Sequence, residues 1–75
     1  MTDEPKTPAE VWGLIERADE LVKYASNRDA TAAFAQARET LSRAMEAARS
    51  VAGAEALEAQ ARRRLEDLDR LEAAT

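Results

Sequence analysis

The sequence predicts an all-α fold, an antiparallel up-down-up three-helix bundle, and three observations predict it. Alanine makes up 18 of the 75 residues, and it favours helix because ordering it costs no side-chain entropy. Apolar side chains recur at steps of three and four residues in three successive blocks, the spacing that gathers them on one face of a helix. Between the blocks the apolar phase resets beside residues that start or stop helices. The helices are expected at about 8–25, 29–50 and 54–73. Residues 1–6 should form a disordered leader and residues 7–75 a single domain.

The first helix opens at Thr7-Pro8-Ala9-Glu10, with a threonine to cap it, a proline at its first position and a glutamate at its third. Its stripe runs Val11, Leu14, Ile15, Ala18, Leu21, Val22, Ala25, with Glu16, Asp19, Glu20 and Lys23 opposite and Asp19–Lys23 at ion-pair spacing. Gly13 lies inside this helix, either for a close contact or without consequence. The turn falls at 25–29, where Ser26 or Asn27 can cap the next helix.

Helix two carries Ala30, Phe34, Ala37, Leu41, Ala44, Met45, Ala48 and Val51, with Glu39 and Arg43 paired outside. Gly53 is a helix-stop signal. One glycine among alanines does not itself exclude a single long helix to residue 73. The phase does, because Leu57, Ala61, Leu65, Leu68 and Leu71 do not continue the stripe that ends at Val51. Glu58–Arg62 and Glu66–Arg70 should brace the third helix externally.

Composition removes whole classes of chemistry. With neither cysteine nor histidine there is no disulfide, thiolate site or imidazole base. No glycine-rich phosphate loop occurs, so neither catalysis nor a cofactor is expected. No apolar run reaches the ~20 residues of a membrane span. The polar, acidic start does not read as a signal peptide, and a cytoplasmic protein is expected. A net charge of −4 argues against a general nucleic-acid binder. Only 16 apolar residues are larger than alanine, so the core is thin, and a partner or a second copy would complete it.

Two motifs carry a resemblance. Leu14-x3-Ala18-x2-Leu21 followed by Ala30-x3-Phe34-x2-Ala37 resembles one tetratricopeptide-type helical hairpin. A lone repeat cannot bury its own face, and the third helix does not begin another. A single hairpin closed by one further helix is similar to the microtubule-interacting-and-trafficking (MIT) domain, over about residues 8–73. The ending Leu65-x2-Leu68-x-Arg70-Leu71 is similar as well. The resemblance implies a three-helix bundle that takes short helical tail motifs of membrane-remodelling filament proteins in grooves between its helices. The abundance of alanine and arginine departs from eukaryotic members and points to a high-GC bacterial source.

The expected function is therefore a non-catalytic module that binds a partner helix in an inter-helix groove. A structural homo-dimer is the alternative, and nucleic-acid association through Arg62–Arg64 a weaker one. Three consecutive arginines fan around a helix instead of forming one phosphate-binding face, and no aromatic residues are interleaved for base stacking. The residues to watch at a partner interface are Trp12, Tyr24, Arg64 and Leu68. Trp12 reads as a cap on the core or a binding hot spot. Tyr24 reads as a boundary residue with a buried ring and a wet hydroxyl. Arg64, beside the apolar stripe, can cover it with its stem while its guanidinium meets an acid.

Overall fold

The structure, a computed structural model, describes residues 5–25 and 30–74 and contains three helices: α1 (Pro8–Lys23), α2 (Ala30–Ser50) and α3 (Glu55–Ala74). The expected Ser26 or Asn27 cap, and the start of α2 at residue 29, lie outside the described residues. So do residues 1–4 of the expected leader.

α1 starts where its capping residues place it. Thr7 is extended (φ −127°, ψ 156°), and its hydroxyl accepts the Glu10 N–H at 3.2 Å. The glutamate reaches back one residue further than in the usual reciprocal cap, accepting from the Lys6 N–H at 3.0 Å. The helix stops at Lys23, two residues short of the expected end. The Tyr24 N–H still bonds the Glu20 carbonyl at 3.0 Å, but Ala25 has slipped to the Val22 carbonyl at 3.3 Å, a tighter turn. Ala25 continues the apolar stripe without continuing the helix.

α2 ends at Ser50 as expected, and Gly53 lies three residues on, in the turn closed by the Ala54 N–H to the Val51 carbonyl at 3.3 Å. It alone among the described residues has positive φ, at 82°. An added Cβ would meet nothing closer than Pro8 Cγ at 3.9 Å, so backbone conformation rather than space requires glycine there. Gly13 is different: it is exposed, with nothing within 4 Å of an added Cβ. Gly13→Ala should therefore raise the unfolding free energy by about 0.5–1 kcal/mol, read as a higher denaturant midpoint at unchanged slope. α3 begins without a side-chain cap. Ala54 holds that position, its carbonyl accepting from Leu57 and Glu58 while the residue itself is fully buried. Here burial replaces capping, and Glu55 and Glu58 complement the helix dipole instead.

The core comprises Val11, Ile15, Ala18, Ala37, Leu41, Ala44, Ala48, Val51, Ala54, Ala61 and Leu68, and six of these eleven are alanine. Helix spacing is thus set largely by methyl groups, which bring backbones close. The larger partly buried residues, Trp12, Leu14, Leu21, Phe34, Met45 and Leu65 among them, fill in at the margins. No polar side chain is buried among the described residues.

α2 packs along both neighbours, while α1 and α3 run parallel and meet only over a short stretch. The resulting body measures 38 × 26 × 15 Å, with a radius of gyration of 12.3 Å against ~11 Å for a chain this long. It is a three-helix bundle left slightly open along one side.

Ion pairs tie the helices together more than the sequence spacing suggests. Arg38 on α2 holds Asp69 at 2.8 Å and also Glu72 on α3. Those hydrogen bonds, Glu72 first and then Asp69, raise its pKa above the usual guanidinium range. Arg49 takes Glu58 at 2.8 Å, leaving the expected Glu58–Arg62 pair at 4.0 Å. Arg70 meets Asp67 at 3.4 Å rather than Glu66, and Asp19 is engaged by α3 rather than by Lys23.

Candidate functional site

The open side of the bundle is a groove of about 410 Å³ between α1 and α3. Ala18 and Val22 from α1, Leu41 from α2, and Leu68 and Leu71 from α3 give it an apolar floor. The floor follows from the helix registers. Ala18 and Val22 are four residues apart on α1, and Leu68 and Leu71 three apart on α3, so each pair shares a face. It stays uncovered because the small Ala18 leaves room and because α3 continues to Ala74 after α1 has ended. Leu71 is consequently 43% exposed.

One end of the groove is closed by a stack of three side chains. The guanidinium of Arg64 lies over the Trp12 ring, 5.6 Å from its centroid. Its Nε donates to both carboxylate oxygens of Asp19, at 2.9 and 3.0 Å, and Nη1 donates to Gln60 Oε1 at 3.0 Å. The Arg64 side chain is 27% exposed, the least of the paired arginines among the described residues, while Asp19 is 50% exposed. At the other end Lys23 and Asp67 stand on opposite walls.

Three of the four sequence-predicted residues converge here. Arg64 lines the groove, Leu68 forms part of its floor, and Trp12 backs the closing stack. Leu68 is 2% exposed, so it belongs to the core first and to the groove second. Tyr24 corrects the expectation of a buried ring. It follows the last helical residue of α1 and is 74% exposed, with the Lys23 ammonium 5.4 Å from its ring centroid. Val22, Lys23, Asp67 and Leu71 also line the groove, and sequence pattern does not single out the first three for it. Leu71 carries a usable signal, being the last member of a stripe that outruns the stripe on α1.

Arg62, Arg63 and Arg64 do not share a face. Arg62 turns towards Glu58 along the outside of α3, and Arg64 is committed to α1. A second groove of about 310 Å³, on the α1–α2 flank, is lined by Arg17, Glu39, Arg43, Gln36 and Thr40 besides Leu14 and Leu21, and is far more polar. Among the described residues no cluster of three acidic side chains could hold a metal ion, and no helix is long and apolar enough to cross a membrane. Comparison with protein-family models, curated proteins and solved structures finds no match to this chain.

Proposed function

We propose that this chain is a non-catalytic interaction module, MIT-like in architecture, that receives an amphipathic helix of a protein partner in the groove between α1 and α3. The observation that carries this reading is the apolar floor of Val22, Leu68 and Leu71 under an open groove about 410 Å³ in volume. A helix is about 10 Å across, and its apolar face would cover Leu71 while its polar face stayed in water. The motif Leu14-x3-Ala18-x2-Leu21 supports the reading, because the small residue in its middle keeps the groove deep.

The test is titration of the ¹⁵N-labelled protein with a leucine-striped helical peptide. Amide shifts should concentrate at Ala18, Val22, Leu68 and Leu71. Leu71→Glu should weaken binding by about tenfold or more with little change in thermal stability, since Leu71 is already half in water. Shifts confined to α2, or no binding, would reject the proposal. Tyr24 and Leu71, both large, apolar and exposed at one end of the molecule, favour a second reading in which another copy covers this face. A monomer mass at micromolar concentration in sedimentation would reject that reading.

A further inference from the structure

We infer that the groove takes its partner helix in one direction, set by a crossed pair of charges at its open end. The inference rests on the helix-binding reading and names the partner's chemistry: an amphipathic helix with acids on the flank that meets Lys23 and bases on the flank that meets Asp67.

The walls of the groove carry opposite charges in opposite order. Going up α1, Asp19 is followed one turn later by Lys23; going up α3, Arg64 is followed by Asp67. Spacings of four and three residues put each pair on one flank of its helix, so the four form two rungs of a ladder across the groove. The lower rung is closed by Arg64 Nε, whose one N–H is shared between the two Asp19 oxygens at 2.9 and 3.0 Å. The upper rung is open. Lys23 does not reach Asp67; its ammonium lies over the Tyr24 ring. Asp67 turns along its own helix to Arg70 at 3.4 Å, a pair 53% and 79% exposed. Such solvated contacts contribute little and exchange readily. Between the separated charges lies the floor of Val22, Leu68 and Leu71, so the rung is open where the apolar surface is uncovered.

Direction follows from symmetry. Turning a docked helix end for end exchanges the flanks it offers to the two walls. In one direction an acid meets Lys23 and a base meets Asp67; in the other, like charges meet twice. Because both residues are exposed, the effect on affinity is modest, about fivefold between the two directions. That difference suffices to populate mainly one.

Trp12, the single tryptophan of the chain, stands at the closed end and reports the direction. The probe is a 14-residue leucine-striped peptide, about 21 Å long as a helix, with glutamates on one flank and lysines on the other. It carries a dansyl group at either its N- or its C-terminus. Energy transfer from Trp12 should be strong with the label at one end and weak at the other. The Lys23→Glu/Asp67→Lys double variant keeps the net charge and should reverse which end lies near Trp12. Exchanging the flanks of the peptide should reverse it on the unaltered protein, where folding is not in question. Equal transfer from both ends, or a direction that neither exchange alters, would overturn the inference while leaving helix binding intact. A peptide that binds neither protein form would overturn both.

Discussion

Leu41→Ala is expected to lower the unfolding free energy by about 3 kcal/mol, within the range measured for leucine truncation in protein cores. Leu41 is 1% exposed and sits on the middle helix, beneath the groove. The core around it cannot close over the cavity cheaply, because six of its ten other buried residues are alanines, which have no longer side chain to move in. Other large fully buried side chains are Ile15, Leu68 and Val11, so the loss falls on a core with few substitutes. For a domain of this size each 1 kcal/mol shifts the melting temperature by roughly 4–8 °C. Circular dichroism should therefore show a fall of roughly 12–24 °C. A fall under about 5 °C would mean that the side chain is not packed as described.

Ala44→Leu should destabilise by about 1–3 kcal/mol for the opposite reason. Ala44 is fully buried on the one helix that packs along both others. An isobutyl group there cannot be relieved by moving one neighbour without driving α2 into the other. The control is Ala35→Leu on the exposed side of α2, which should change stability by no more than about 0.5 kcal/mol. Equal effects at the two positions, measured by urea unfolding, would refute the claim that methyl groups set the helix spacing.

Much of this architecture is legible in the order of the residues. The Thr7–Glu10 cap and Gly53 are local chemistry, written within three or four residues, and they mark one helix start and the turn between α2 and α3. The stripe positions Val11, Ile15, Ala18, Ala37, Leu41, Ala44, Ala48, Ala61 and Leu68 are all buried. Legibility fails where the cause is not local. The end of α1 at Lys23 cannot be read from a stripe that runs on to Ala25, nor can the exposure of Tyr24 just beyond it. Ion pairs behave likewise. Spacing within a helix suggests Asp19–Lys23, but a guanidinium 45 positions further along the chain, held against the Trp12 ring and bonded to Gln60, takes the carboxylate instead. The groove belongs to the same class. Its apolar members are written in the sequence, and its openness is not, because that depends on how far α1 and α3 stand apart.

The central position of α2 bears on how the chain finds this arrangement. All the extensive packing joins helices that are consecutive in the sequence, α1 with α2 and α2 with α3. Each step of assembly then closes a short loop, whose entropic cost grows only slowly with length. Low contact order of this kind belongs to domains that fold in microseconds to milliseconds. The sparse contact between α1 and α3, which leaves the groove uncovered, also spares the search its most distant pairing.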